Sequence, residues 1–321
     1  MAQSISTTTL NFDGFRPEII DKVRHLLVIL DRISAHPYLK NRICLHGGTA
    51  LNLFLLSTPR LSVDIDLNYV GSTDRDVMYA ERAKLEQSIV DIGRELGLEV
   101  RSGSEEHSGR SLKLNYQGGF GADHVKIDID YLNRSPLLPP VAHTITTNDN
   151  STITFPLNAA IEIIGGKVKA LLSRVTPRDL YDICQISEYY PTVIDSDNEL
   201  LLRRILLYYS VLSDPFPKPF TIAERFAGRS RDVEDILYPT LLAGDRPMLE
   251  NMIETASTFI NSVTRALDTE EYAFLKSASE GHFMPELLFE EHPEVLLAAL
   301  KDPSALWKMQ NIRKMDRQRE R

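Results

Sequence analysis

Asp64 and Asp66 stand two apart in RLSVDIDLNY, and a Gly47-Gly48-Thr49 triplet precedes them in ICLHGGTALNLFLL. Residues two apart in a strand point to the same face, so both carboxylates project together while Val63, Ile65 and Leu67 turn into a core. Like charges on one face repel, and a divalent cation held by oxygen ligands relieves that repulsion; magnesium is the expected ion. Glycine lets backbone N–H groups close on a ligand, and the N-terminus of the helix that follows favours an anion. Together these features point to a metal-bound triphosphate. Singly they are weak, since most Gly-Gly pairs are turns and most Asp-x-Asp runs are solvated strand edges.

The elements that must hold these groups are a short buried strand from Ile43 to His46, the glycine turn, an apolar helix from Ala50 to Leu56, and a strand carrying both aspartates. A third acidic strand follows in HVKIDIDYL. There Val125, Ile127, Ile129 and Tyr131 face one way and Lys126, Asp128 and Asp130 the other. In KVKALLSRVTPRDLYDI, a helix starting near Asn158 brings Lys167, Leu171 and Arg174 to i, i+4 and i+7, so Lys167 and Arg174 share a face, and a second helix starts at Arg178. Gly165 and Gly166 inside the first helix cost about 1 kcal/mol each relative to alanine. They mark either close packing or a break that positions Lys167. Read alone, Arg178 and Asp182 are an i, i+4 ion pair on a solvated face.

The order strand, Gly-Gly-Thr, helix and Asp-x-Asp strand resembles the opening motif of the polymerase-beta-like nucleotidyltransferases. GGTALNLFLL followed by RLSVDIDLNY is similar to the AbiEii/AbiGii toxin family of bacterial abortive-infection and toxin–antitoxin systems, as are VKIDIDYLNRSPL and KVKALLSRVTPRDLYDI. The resemblance covers roughly residues 40 to 190. It implies an α+β fold: a polymerase-beta-like nucleotidyltransferase core, a mixed sheet with flanking helices over residues 1–156, followed by an all-helical C-terminal domain over 157–321 with the Lys/Arg-Asp motif at its start.

The resemblance also implies an activity: attack of a hydroxyl on the α-phosphate of a nucleoside triphosphate, with Asp64, Asp66 and Asp128 holding two Mg2+ ions and Lys167 joining them as a catalytic group. Gly47, Gly48, Thr49, Lys167, Arg174, Arg178, Asp179 and Asp182 then bind the nucleotide. Asp130 falls where the family commonly has an uncharged residue. The implied acceptor is a nucleic acid, with the tRNA 3′ end the expected one and blocked translation the result, and the implied partner is a separately encoded AbiEi-like antitoxin. Three alternatives stay open: transfer of the γ-phosphate to a protein or RNA hydroxyl, a nucleotide-binding regulator without catalysis, and a scaffold whose helical half carries the effect.

Composition sets outer bounds. Hydrophobic residues at 43% and charged residues at 25% of 321 suit a globular chain with a substantial core. Net charge of −9 excludes a protein that coats nucleic acid by bulk electrostatics, although KMQNIRKMDRQRER, from Lys308 onward, is a local basic tail able to touch RNA phosphates. Apolar runs are too short to span a bilayer and the N-terminus lacks a secretory pattern, so no membrane association and a cytoplasmic location are expected. Cys44 and Cys184 have neither metal-ligand nor disulfide spacing.

Elsewhere the pattern predicts a loose lead-in over residues 1–15, helices over 17–34 and 74–96, and extended segments near 98–101 and 111–116. Residues 133–152 are expected to wrap the sheet edge before a short strand over 152–155. Beyond Tyr190, helices are expected over about 197–212, 230–242, 246–266, 269–279, 285–300 and 303–318, punctuated by prolines that include Pro215 and Pro219.

Overall fold

The computed structural model of the chain describes residues 7–106, 108–147, 150–193, 198–214, 216–218, 221–264 and 267–319. The expected lead-in over 1–6, the start of the predicted helix at 197, Pro215, Pro219, the end of the helix predicted to 266 and the last two residues of the basic tail lie outside them. Two compact units emerge. One comprises Met1–Ala159 with Pro239–Asp245, the other Ala160–Tyr238 with Arg246–Arg321.

The first unit is a mixed sheet of eight strands: β1 (Thr7–Thr9), β2 (Ile43–His46), β3 (Asp64–Tyr69), β4 (Glu99–Glu105), β5 (Gly109–Gly118), β6 (Gly121–Asp130), β7 (Val141–Thr146) and β8 (Thr152–Leu157). Their order across the sheet is β1-β7-β8-β2-β3-β6-β5-β4. Neighbours β3 and β6 run parallel, whereas β2 and β3, and β6 and β5, are antiparallel. The residues over 133–152 do not merely wrap the edge, because β7 lies inside the sheet between β1 and β8. Nor is the lead-in wholly loose: Thr7–Thr9 adds a parallel edge strand to β7.

Helix α1 (Pro17–Ala35) begins with proline at its first position, where the missing N–H costs nothing, and stops before His36-Pro37. Between β2 and β3, the helical turn α2 (Gly47–Thr49) runs straight into a π-helical segment, Ala50–Leu55. Helix α3 (Arg75–Glu95) is capped by Asp74, whose carboxylate accepts from the Asp76 and Val77 N–H groups. Helices α1 and α3 cover the apolar sheet face, where Ile65, Leu67, Tyr69, Val125, Ile127 and Ile129 are buried. Contacts from α1 and α3 confirm which face they cover: Lys22 of α1 pairs with Asp123 at 3.1 Å, and Tyr69 donates to Glu81 of α3 at 2.7 Å. The polar face of β3 and β6 is thereby left to carry the aspartates. Pro239–Asp245 closes the unit through Leu61 N–H to Thr240 O at 2.8 Å and Ala243 N–H to Gly14 O at 2.9 Å.

The second unit is helical in its described residues: α4 (Ala160–Ser173), α5 (Pro177–Val193), α6 (Glu199–Val211), α7 (Ile222–Phe226), α8 (Ser230–Asp232), α9 (Leu249–Thr264), α10 (Thr269–Ser279), α11 (Glu286–Phe289), α12 (Pro293–Leu300) and α13 (Pro303–Arg319). The helix expected over 230–242 is instead α8, a π-helical Val233–Leu237 and a 3-10 turn at Tyr238–Thr240. The helix expected over 285–300 divides before Pro293. Tyr208 is buried at the centre and donates to Asp302 at 2.6 Å, whose other oxygen caps α13 by accepting from Ser304 N–H at 2.8 Å. No helix among the described residues is long and apolar enough to cross a membrane.

The glycine pair inside α4 divides in purpose. A Cβ on Gly165 would stand 2.5 Å from the Tyr209 ring of α6, so glycine there permits the α4–α6 approach, whereas a Cβ on Gly166 would meet nothing within 4 Å. The helix continues through both without a break. Gly165→Ala is therefore expected to destabilise the protein by about 1–3 kcal/mol, and Gly166→Ala to stabilise it by about 0.5–1 kcal/mol. Urea denaturation of the two variants, read by circular dichroism, checks the opposite signs.

Candidate active site

Strand register builds the acidic face. In the parallel β3–β6 ladder, Asp66 is opposite Asp128 and Asp64 is opposite Lys126; on the far side of β3, His46 is opposite Asp66. In-register neighbours share a face with strands about 4.8 Å apart, so the three carboxylates and the ammonium form one compact patch. Asp128 Oδ2 accepts from Lys126 Nζ at 2.6 Å. Lys126 is thus the positive charge beside the acidic face. The alternation placed it there, but its pairing with Asp128 was not anticipated.

Gly47 explains why the turn must be glycine. Its φ is +70°, and a Cβ there would sit 2.1 Å from Asp66 Oδ2. Any side chain would both strain the backbone and displace the carboxylate. The glycines form the first helical turn itself, not a separate turn before it. Thr49 is fully buried and donates its hydroxyl to the backbone carbonyl of Asp64, so the side chain expected to reach a phosphate instead ties α2 to β3. Gly48 O accepts from buried Asn52 Nδ2 at 3.0 Å.

Asp130, next on the same face, has a local function. It accepts from the Leu132 and Asn133 N–H groups at 2.7 and 3.0 Å and also from the Asn133 side chain, and so caps the turn that leaves β6. Toward the other end of β6, the His124 imidazole is held below its ordinary pKa by burial and by Lys22 and Lys113, against the pull of Asp123 and Asp64. It is mainly neutral at pH 7. As placed, no three His, Cys, Asp or Glu side chains among the described residues converge on a metal-ion position. The donor set of Asp64, Asp66 and Asp128 is nonetheless all carboxylate oxygen, the chemistry magnesium prefers, and the Lys126 ammonium offsets only one of its three charges.

The remaining sequence candidates lie in the second unit, where they form a buried ionic cluster. Lys167 is 4% exposed, and its ammonium lies 2.7 Å from Asp182 and 3.5 Å from Asp179. Arg174, just past the end of α4, grips Asp179 with two nitrogens at 2.7 and 3.1 Å, and Thr176 Oγ1 donates to the same carboxylate at 2.8 Å. Asp179 thus sits between the two cations that helical spacing placed on one face. Asp182 is fully buried, not on the solvated face that a plain i, i+4 pair with Arg178 would require. Arg178 is half-buried at the start of α5. Burial pushes the Asp179 carboxyl up, but Lys167 and Arg174 outweigh it and hold the pKa below the usual carboxylate value.

A mixed sheet with aspartates in register on its polar face, flanking helices and a following helical region is the α+β fold with a polymerase-beta-like core. Residues 28–269 match the family described as nucleotidyl transferase AbiEii toxin of type IV toxin–antitoxin systems, and the chain belongs to that family. It is a nucleotidyltransferase enzyme and the toxin component of such a system. Among solved structures, it is similar to MenT4, the nucleotidyltransferase toxin Rv2826c from Mycobacterium tuberculosis H37Rv, with a TM-score of 0.57 and 18% identity over 89% of this chain and 94% of that one. An H. pylori protein ascribed to the nucleotidyltransferases aligns with a TM-score of 0.50 and 16% identity over 78% of this chain and 96% of that one. No curated protein matches the sequence significantly.

Removing one member of the buried cluster leaves an uncompensated charge. Asp182→Ala should cost about 3–5 kcal/mol, and Asp182→Ala with Lys167→Met much less; denaturant midpoints of the two variants measure the difference. Because the folded pKa of Asp179 lies below its unfolded value of about 3.9, its stabilisation is complete above the unfolded value and is lost as pH falls through the folded one. Asp179→Asn should accordingly flatten the acid limb of the stability–pH curve below about pH 4.

Proposed function

We propose that this toxin transfers a nucleotide from a nucleoside triphosphate to a nucleic-acid acceptor, the 3′ end of tRNA, and so blocks translation. The observation that carries the reading is the in-register pair Asp66 and Asp128, with Asp64 one row away and Gly47 packed against the Asp66 carboxylate. Asp64, Asp66 and Asp128 are the residues that would hold two magnesium ions, which when bound supply Lewis-acid stabilisation of the attacking and leaving oxygens.

The chain's own contribution follows from its geometry. Gly47 keeps space beside Asp66 open, and the backbone N–H groups at Gly47 and Gly48 are suited to an anion. Thr49 acts by position, through its bond to Asp64. For Asp128 to act as a ligand, or to take the proton of the attacking hydroxyl, the Lys126 ammonium must leave Oδ2. The family resemblance gives Lys167, Arg174 and Arg178 the part of meeting the polyphosphate's charge, and for Lys167 and Arg174 that requires release from Asp182 and Asp179, with which they pair in this structure. Asp179 and Asp182 are positioning residues that fix the Lys167 ammonium. The family membership supports a separately encoded, AbiEi-like antitoxin and a nucleoside triphosphate substrate. The lack of a membrane-spanning helix among the described residues accords with a cytoplasmic site of action.

The same carboxylates would serve transfer of the γ-phosphate, so the label decides. Purified protein is incubated with magnesium, total tRNA and each nucleoside triphosphate labelled in turn at the α and the γ phosphate. The expected result is α label in tRNA, reduced on the order of 100-fold or more in Asp66→Ala. γ label alone would replace nucleotidyl transfer with a kinase reaction.

A further inference from the structure

The β5–β6 hairpin carries a feature that the chemistry of the acidic face does not use. Its two strands pair without interruption from Gly109↔Asp130 to Gly118↔Gly121, and at its tip Phe120 is 64% exposed. The flanking Gly119 and Gly121 lie in open space, where a Cβ would meet nothing within 4 Å beyond its chain neighbours.

The fold holds this tip in place. Lys22 of α1 pairs with Asp123 at 3.1 Å, and His25 of α1 stacks on Tyr116 with ring centroids 3.8 Å apart. Gly118 sits so close to Asp21 that a Cβ would lie 2.2 Å from its carboxylate. These contacts are all on the covered face of the hairpin. The opposite face is the one that carries Asp128 and, through β3, Asp64 and Asp66.

Between the aspartates and Phe120, that open face presents Lys126 and His124 from β6 and Lys113, Asn115 and Gln117 from β5, with Lys113 in register with Lys126 and Asn115 with His124. Lys113 and Gln117 are exposed. These five side chains include two cations and no carboxylate, on a chain whose net charge is −9. The nearest acid of β4, Glu99, is tied to Arg101 at 2.9 Å. From the Lys126–Asp64 row to Gly121 is five residues of strand, or about 17 Å at the usual rise. The strip begins at the carboxylates, continues through cationic and amide groups, and ends at an aromatic ring, which matches the way single strands are bound: phosphates along a basic track and a base stacked on an aromatic face.

We propose that the open face of the β5–β6 hairpin is the docking track for the single-stranded 3′ tail of the acceptor, with Lys113 and Lys126 along its phosphates and a base stacked on Phe120. The 3′ hydroxyl then lies toward the aspartates and the body of the acceptor beyond the hairpin tip. This rests on the nucleic-acid acceptor of the proposed function.

The test is binding of a fluorescein-labelled single-stranded RNA of about twelve nucleotides, followed by anisotropy on the full-length protein without nucleoside triphosphate. Phe120→Ala should raise Kd roughly tenfold and Phe120→Trp restore it. Lys113→Gln should reduce the slope of log K against log salt by about 0.7. Both positions are at the surface, so thermal melting of all three variants should match the parent. Equal RNA affinity for Phe120→Ala and the parent overturns the proposal, as does a parent that binds no RNA. So does a Phe120→Ala defect confined to binding of the antitoxin, which would make the tip a protein contact. If RNA binding depends on Phe120 but α label never enters RNA, the docking track stands and the transfer reaction falls.

Discussion

Parallel pairing of β3 with β6 is the constraint on which the first unit depends. It brings Asp66 beside Asp128 and Asp64 beside Lys126, so like charges are set at strand spacing on a face that remains open. A one-residue slip of either strand would bury the carboxylates and expose Ile65, Leu67, Ile127 and Ile129, all of which are 0–1% exposed. The apolar face therefore fixes the register, and the register fixes the acidic patch. Helices α1 and α3 enforce this from one side, while Gly47 and Thr49 tie the α2 turn to β3 from the other.

The second unit handles charge in the opposite way. Lys167, Asp179 and Asp182 are at most 4% exposed, and their charges are satisfied by one another and by Arg174 and Thr176. Desolvation on this scale is tolerable only when each charge is paired at short range. The first unit keeps its carboxylates half-exposed with one ammonium among them. A nucleotide and its ions need an open, unsatisfied face, whereas a side chain that must hold one position is better surrounded.

Local alternation made β3 and β6 legible, and the aspartates with them, because a half-buried strand writes its two faces directly into sequence, while β2 showed as a short buried apolar run. Helical spacing likewise brought Lys167 and Arg174 together. What escaped depended on distant partners. Thr7–Thr9 is a strand only because β7 lies beside it, and β7 itself sits in a stretch rich in proline and polar residues that reads as loop. The hydroxyl of Thr49 looked available to a phosphate because nothing local reveals its bond to the carbonyl of Asp64, fifteen residues on. Gly165 and Gly166 are indistinguishable in sequence, yet one faces Tyr209 and the other open space.

The return of Pro239–Asp245 to the first unit bears on how the chain is made. Leu61 and Gly14 form their backbone bonds with Thr240 and Ala243, about 180 and 230 residues further along. On the ribosome, the sheet can collapse once β8 has emerged, but it cannot be completed until about half of the helical unit has been synthesised as well. Domains usually finish in order from the N-terminus; here the N-terminal unit is the one that waits. An interrupted product ending after β8 would carry Asp64, Asp66 and Asp128 yet leave the Leu61 N–H and the Gly14 carbonyl without their native partners.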